Sequence, residues 1–176
     1  MVDELAGGGH AGRGQHQLGR SDHRRDPEAS VKIYLGATYS RRGEMRDVRD
    51  DLVVMGYGVT STWVDDHALL GDGFGVPQLM ADPDAARLQA LRDAAQLAAA
   101  DTMISFTDGL LGRGGRHVEF GMAYAWEKRL IVVGPREHVF HMLYPTEVYP
   151  DWSTLHKTMA TWARDMRDAP DMKRGI

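Results

Sequence analysis

The sequence predicts an α/β protein built on a doubly wound, mostly parallel five-stranded sheet with helices on both faces. Short runs rich in β-branched and aliphatic residues alternate with longer segments whose apolar residues recur at helical spacing. The segments between successive strand candidates are long enough to hold the crossover helices that parallel pairing requires. A chain of 176 residues with 43% apolar and 26% charged residues is typical of one globular domain.

Five segments have the character of strands. The first alternates from Val31 to Leu35 and ends at Gly36, and the clearest is the LIVVG run at 130–134. The remaining three are the YGVTSTW segment at 57–63, the TMISF segment at 102–106 and a short edge strand at 147–149.

Apolar periodicity predicts four helices. Gly56 is expected to end the first, Asp82 and Pro83 to begin the second, and Ser153 to cap the last. The residues expected to face the core are Met45, Val48, Leu52 and Met55 of the first helix, Leu88, Leu91, Ala95 and Ala98 of the second, Val118, Met122 and Ala125 of the third, and Leu155, Met159, Trp162 and Met166 of the fourth.

The working domain is predicted to span residues 31–170. Residues 1–30 contain many glycines and few large apolar side chains, so they are expected to form a flexible tail, with a second short tail at 171–176. The segment from 64 to 81 is predicted to be a long loop, to which we assign no role.

Composition excludes several classes of function. A net charge of −4 provides no broad basic surface for a nucleic-acid polymer or an anionic membrane. The chain has no cysteine, which excludes disulfides, thiolate nucleophiles and cysteine-ligated metals, and no apolar run long enough for a membrane span. We therefore expect a cytoplasmic protein.

Two of the predicted loops are candidates for a site, because ligands of open parallel sheets bind beyond the carboxyl ends of the strands. One follows Gly36, and the other is rich in glycine and leads into the helix that carries Glu119. These glycines complete neither the dinucleotide fingerprint nor a phosphate-binding P-loop, so we expect no cofactor. Backbone N–H groups at the start of that helix could still bind an anion.

The residues alone leave two interpretations of the acidic side chains. Glu119 is either an acid favoured by the helix dipole or a nucleophile placed at the mouth of the sheet. Asp93 is either a solvated helix charge or a second carboxylate directed at a leaving group. His138 and His141 have the spacing of a ligand pair, but no third ligand can be named, and no metal is expected.

Three segments carry a likeness to a known family: KIYLGATYSRR at 32–42, LRDAAQLAAADTMISFTD at 91–108 and GGRHVEFGMAYAWEKRLIVVGP at 114–135. Together they resemble the nucleoside 2-deoxyribosyltransferase family, whose superfamily includes 2′-deoxynucleoside 5′-phosphate N-hydrolases. The likeness extends over about residues 31 to 150 in the same order. It implies a flavodoxin-like fold and cleavage of an N-glycosidic bond by a glutamate nucleophile.

The resemblance also implies roles for individual residues. The VEFGMAYA motif places the nucleophile on Glu119, and the substrate-binding aspartate, eight residues before Asp101, falls on Asp93. Tyr34 and Gly36 would line the sugar and base pocket. Asp101 itself is expected to be structural.

One departure bears on the reaction. Arg113 stands six residues before Glu119, where transferases of the family have an aspartate, and Asp108 could take that role from the same loop. The hydroxyl and guanidinium donors near the expected sugar 5′ end suit a 5′-phosphate, although the arginines could instead be surface charges. These donors are Ser40, Arg41, Arg113 and Arg116. The further substrate-binding candidates are Tyr39, Ser40, Arg41, Gly115 and Arg116, with Trp63 as either a base-stacking or a core aromatic.

The predicted function is therefore transfer of a (deoxy)ribosyl group from a nucleoside or nucleotide to a base or to water. Hydrolysis of a nucleoside 5′-monophosphate without transfer and a non-catalytic nucleotide-binding module are the alternatives. Likeness to the family also implies a homodimer or larger homo-oligomer. Candidate interface residues, which could instead pack within the chain, are Phe140, Met142, Leu143 and Tyr144.

Overall fold

The computed structural model describes residues 30–65, 82–108 and 114–168. The predicted tails, most of the 64–81 loop and Arg113 lie outside these residues. The strands are β1 (Lys32–Gly36), β2 (Gly58–Val59), β3 (Thr102–Phe106), β4 (Arg129–Val133) and β5 (Glu147–Tyr149). The helices are α1 (Arg42–Val54), α2 (Pro83–Ala98), α3 (Gly115–Ala125) and α4 (Trp152–Asp168).

The five strands form one parallel sheet in the order β2-β1-β3-β4-β5. This is the flavodoxin-like order, so the predicted fold class is confirmed. The chain runs from β1 outward to β2 and then returns to the far side of β1, where β3 pairs with it. The order of the strands thus reverses between β1 and β3, and the carboxyl ends of strands at such a reversal are where ligands of open parallel sheets bind.

The helices cover both faces of this sheet. On one face α1 and α4 are neighbours, and the indole Nε1 of Trp152 donates a hydrogen bond to Asp51 Oδ2 at 3.1 Å. On the other face α2 and α3 contact each other, and α3 packs against β1, β3 and β4. The predicted inward residues Met45, Val48 and Leu52 of α1 are buried, as expected.

The second strand is much shorter than predicted, because only Gly58 and Val59 pair with β1. Thr60 N–H still donates to the Ile33 carbonyl at 2.9 Å, and beyond Thr60 side chains take the place of backbone pairing. The backbone N–H of Leu35 donates to Ser61 Oγ at 2.6 Å, and Trp63 Nε1 donates to the Leu35 carbonyl at 2.8 Å. Trp63 is thereby a buried core residue rather than an exposed platform.

The predicted inward face of α2 is wrong. Leu88 and Leu91 are 65% and 55% exposed, and both predicted alanines are also exposed. The side of α2 turned toward the protein carries Gln89 and Asp93, both half-buried, and the fully buried Leu97. At the carboxyl edge of the sheet, the interior side of α2 carries polar groups. The positions of its apolar residues therefore do not identify the buried face of this helix.

The inward face of α3 also differs from the prediction. Val118 is 63% exposed and Ala125 is exposed, whereas Phe120 and Ala123 are buried in the core. Arg116 is buried on this same side. Arg116 therefore faces the interior, where hydrophobic periodicity predicts only apolar residues of α3.

The last helix begins two residues earlier than predicted and has a different cap. Asp151 Oδ1 accepts hydrogen bonds from the backbone N–H and the hydroxyl of Thr154, both at 2.8 Å. Leu155 and Met159 face the core as expected, but Met166 is 49% exposed. Within the described ranges, no helix is both long enough and apolar enough to cross a membrane.

Candidate active site

The site lies at the carboxyl ends of β1 and β3, where the strand order reverses. Tyr34 and Gly36 alternate onto the face of β1 that α3 covers, and Glu119 lies in the second turn of α3. Asp93 comes from the neighbouring helix α2 and lies within electrostatic reach of both Tyr34 and Glu119. The structure therefore brings these four predicted residues together from three elements.

A hydrogen bond joins the two central groups. The Tyr34 hydroxyl donates to Glu119 Oε1 at 2.9 Å, across 85 residues of sequence. Burial raises the pKa of Glu119 to about 7, opposed by the Tyr34 hydrogen bond and by the charge of Arg116, while Asp93 raises it further. Near neutral pH the Glu119 carboxyl group is accordingly close to the midpoint of its titration.

Tyr34 remains a proton donor throughout the physiological range. Burial raises the pKa of its phenol, and the negative charges of Glu119 and Asp93 raise it further. The phenol therefore stays protonated and can bind the ionised carboxylate. A hydrogen bond of this polarity stabilises the charged form of Glu119.

Asp93 is held by its own helix. Gln89 Nε2, one turn earlier on α2, donates to Asp93 Oδ1 at 2.9 Å. The Asp93 charge raises the pKa of Glu119 and of Tyr34, so the two carboxyl groups influence each other. Because their charges interact, protonation of one of these carboxyl groups favours ionisation of the other.

Gly36 lets the Glu119 side chain pack closely against β1. A Cβ atom at this position would lie 3.3 Å from Glu119 Oε2 and 2.8 Å from Met103 Cε. Both distances are shorter than ordinary van der Waals contact, so a side chain would press on the carboxylate and on the terminal methyl group of Met103. Glycine here therefore allows the carboxylate to lie directly beside the strand.

The loops after β1 and β3 meet at the rim of the site. Arg41 Nη1 donates to the Thr107 carbonyl at 3.2 Å, and the Thr38 hydroxyl donates to Asp108 Oδ2 at 3.5 Å. Ser40 Oγ lies 3.3 Å from Thr38 Oγ1. The structure thus groups Ser40, Arg41 and Asp108 at one exposed edge.

The Arg41 guanidinium is also paired within its own loop. Its Nε and Nη2 donate to the two carboxylate oxygens of Glu44 at 2.8 and 2.6 Å. An anion that binds Arg41 would have to share or displace this ion pair.

Two further candidates lie at the margins of the site. The half-buried Tyr39 lies with its ring centroid 6.4 Å from that of Trp63. Gly115 is exposed as the first residue of α3, preceded by Gly114 with φ +90°, a conformation that favours glycine. Asp101 is outside the site and accepts a 2.8 Å hydrogen bond from the backbone N–H of Lys32, which fits the structural role expected of it.

Arg116 occupies a different environment from the other predicted substrate ligands. Its Nη1 donates to the Phe106 carbonyl at 2.6 Å, and its Nη2 forms a buried ion pair with Glu137. Glu137 was not identified from the sequence, since it lies in the loop after β4 and has no periodic or motif context. Only the three-dimensional arrangement shows that these two residues meet.

His117 is a third histidine beside His138 and His141, and the sequence did not predict that it lies there. The His117 ring centroid lies 5.2 Å from that of His138 and 5.9 Å from that of His141. Burial lowers the pKa of His117 and of His141, which favours their neutral forms. Among the residues that the structure describes, no three acidic or histidine side chains are arranged to hold a metal ion.

Comparison with known proteins adds a limited likeness. No protein-family model matches the sequence. No curated protein matches it either. Among solved structures, the chain is similar to a CMP N-glycosidase from Clostridium botulinum, with 17% sequence identity and a TM-score of 0.49, over 74% of this chain and 98% of that one. A likeness of this degree carries no argument about activity, so the function has to be inferred from the geometry of the site and from the motifs.

Proposed function

We propose that this protein is an enzyme that cleaves the N-glycosidic bond of nucleosides or their 5′-monophosphates, with Glu119 as the nucleophile. The observation that carries the proposal is the half-buried Tyr34–Glu119 hydrogen bond at the carboxyl edge of the sheet, with Asp93 nearby. Gly36 lets the Glu119 carboxylate lie directly beside β1. The motif resemblance to the nucleoside 2-deoxyribosyltransferase family supports the same roles.

The reaction follows from these positions. Ionised Glu119 attacks the anomeric carbon as the bond to the base breaks, and Asp93 donates a proton or a hydrogen bond to the departing base. A glycosyl ester of Glu119 results. Water or a second base then attacks the anomeric carbon and releases the carboxylate, so two inversions give overall retention of configuration.

The rim is the proposed site for the 5′ end of the substrate. Ser40 and Arg41 supply hydroxyl and guanidinium donors there, which suits a phosphate. Asp108 is the candidate for the aspartate that Arg113 replaces in the transferase pattern, and Tyr39 and Gly115 complete the proposed binding residues. Whether the second step uses water or a base decides between a hydrolase and a transferase.

The test is to incubate the protein with ribo- and deoxyribonucleosides and their 5′-monophosphates, with and without a free acceptor base, and to separate the products by chromatography. Base release without acceptor indicates an N-hydrolase, and product formed only with acceptor indicates a transferase. Glu119→Gln should abolish turnover while ligand affinity, measured by calorimetry, stays within a few-fold of wild type.

A different result would point to another class of function. If wild type binds a nucleotide but converts no substrate in the panel, the protein is a binding module. If Glu119→Gln retains turnover, Glu119 is not the nucleophile. Asp93→Asn should slow base departure most for the poorest leaving groups, since it removes the proposed acid.

We also propose a homo-oligomer, on the basis of the family resemblance. Three of the expected interface residues are prominently exposed: Phe140 is 56%, Met142 69% and Tyr144 91% exposed, whereas Leu143 is half-buried. Light scattering of the purified chain measures its mass. Phe140→Glu together with Tyr144→Glu should shift that mass to the monomer if this surface forms the contact.

A further inference from the structure

Arg116 and Glu137 form a buried ion pair directly behind the candidate active site. Their side chains are 4% and 8% exposed. Arg116 also donates to the carbonyl of Phe106, the last residue of β3, at 2.6 Å. The pair therefore joins the first turn of α3, the carboxyl end of β3 and the loop after β4.

The same arginine lies beside Glu119. The two residues are three positions apart on α3 and so share one side of the helix. Both pack against Gly36, where a Cβ atom would lie 3.3 Å from Glu119 Oε2 and 3.8 Å from Arg116 Cγ. The Arg116 stem thus adjoins the Glu119 carboxylate from the protein interior.

The bonding of Arg116 argues against direct contact with a substrate phosphate. Both terminal nitrogens of its guanidinium have acceptors, Phe106 O and Glu137, and its Nε is buried with no hydrogen-bond partner among the described residues. To turn toward a ligand, the side chain would have to leave Glu137 buried without its counter-charge, which is strongly unfavourable. Its location suits a permanent structural bond rather than a reversible one.

We propose that Arg116, held by Glu137, is a positioning residue that fixes Glu119 and stabilises its ionised form. This inference rests on the proposed role of Glu119 as the nucleophile. The guanidinium holds the start of α3 against the end of β3. This contact fixes the position of the α3 backbone from which the Glu119 side chain extends. Its positive charge acts on the carboxylate through a buried region, where screening by solvent is weak.

The double variant Arg116→Met/Glu137→Gln tests this role, because it removes both charges and leaves no unpaired buried ion. The matched control is Arg129→Met/Glu147→Gln, which removes another arginine–glutamate pair at the opposite end of β4, where Arg129 Nε donates to Glu147 Oε1 at 2.6 Å. Two readouts are needed: the titration of Glu119 in ¹³C-glutamate-labelled protein, and the pH profile of kcat/KM.

In the Arg116 double variant, Glu119 should titrate at higher pH than in wild type, and the acid limb of kcat/KM should move with it. A loss of about tenfold at pH 6 corresponds to a shift of one pKa unit. Nucleoside and monophosphate substrates should lose activity equally, and the control should match wild type. Unchanged Glu119 titration with a loss confined to monophosphates would overturn the proposal and assign Arg116 to phosphate binding.

The Glu119 titration needs no substrate, so it separates this inference from the proposed function. Wild type that turns nothing over refutes the proposed function, whereas the titration still tests the coupling to Arg116. If the double variant does not fold, Arg116→Lys keeps the charge but cannot span both acceptors. It should lower kcat with little change in the acid limb, and a wild-type kcat would overturn the positioning role.

Discussion

Tyr34 controls the ionisation of the proposed nucleophile. Its hydroxyl donates to the Glu119 carboxylate and stabilises the charged form, so it opposes the effect of burial on the Glu119 pKa. Tyr34→Phe removes the donor and should raise that pKa above its value of about 7. Activity at pH 6 should therefore fall more than activity at pH 8, as measured from the pH dependence of kcat/KM.

Tyr124→Phe is the control for this prediction. Tyr124 also lies on α3, but it is 42% exposed and has no part in the site. Its variant should reproduce the wild-type pH profile. If the Tyr34→Phe profile also overlays that of wild type, the hydrogen bond does not set the ionisation of Glu119.

Gly36 offers a steric test at the same place. In Gly36→Ala the new Cβ would lie 2.8 Å from Met103 Cε, a methyl group at the end of a flexible side chain, and 3.3 Å from Glu119 Oε2, so the methyl group and the carboxylate must both shift. We expect a clear loss of kcat/KM and a stability cost of about 1 kcal/mol, at the low end for overpacking. Activity assays and denaturant unfolding measure the two effects.

Gly43→Ala is the matched substitution, since a Cβ at Gly43 would have no atom within 4 Å. It lies in the first turn of α1, where alanine is compatible with the helix. Full activity is expected. Equal losses in both variants would mean that the crowding at Gly36 is not the cause.

The residues that the structure brings together at the centre of the site could be selected from the sequence through the resemblance of its motifs to a known family, since the residues alone leave the roles of Glu119 and Asp93 open. Tyr34 and Gly36 end a strand, and Glu119 follows a glycine-rich loop. Glu137 could not be found in this way. Its importance arises from a contact with Arg116 across 21 positions, which depends on how the loop after β4 folds over α3.

At the scale of elements, hydrophobic periodicity located the helices but misplaced two of their faces. On α2, Leu88 and Leu91 point outward, and the polar side carrying Asp93 lies toward the sheet. On α3 the buried face contains Arg116 and Phe120, and it therefore differs from the face that the predicted apolar stripe occupies. Both helices flank the site, where buried polar groups reverse the ordinary relation between apolarity and burial.

The cap of α4 gives a prediction at this scale. Asp151→Ala removes the carboxylate that accepts from the backbone and hydroxyl of Thr154, so it should lower the thermal midpoint. Ser153→Ala, the position favoured by the sequence pattern, should leave the midpoint unchanged. Calorimetry measures the thermal midpoints of both variants. A lower midpoint for Ser153→Ala than for Asp151→Ala would show that Ser153 caps the helix.

For the whole molecule, the raised pKa of Glu119 makes stability depend on pH. An ordinary glutamate titrates near 4.5, as in the unfolded chain, whereas Glu119 in the folded protein titrates near 7. The folded state therefore binds the additional proton between these values, and its stability falls as the pH rises through this window. Above pH 7 the cost amounts to at most about 3 kcal/mol.

Glu119→Gln should remove this dependence, because the amide keeps the shape and carries no charge. The variant should gain free energy of unfolding relative to wild type between pH 5 and pH 8, measured by urea denaturation at each pH. If the free energies of unfolding of wild type and variant instead change in parallel with pH over this range, burial of the Glu119 carboxylate does not destabilise the folded protein.

The strand order has a consequence for how the molecule responds to a ligand. The groups of the site come from β1, α2 and α3, and Tyr34 and Glu119 are 85 positions apart. A ligand that contacts β1, α2 and α3 together would hold these elements against one another. It would therefore oppose any local opening that separates β1 from β3. Bound ligand should consequently slow hydrogen exchange at the backbone amides of β1 and β3 together, with little change in the outer strand β5, which contributes nothing to the site.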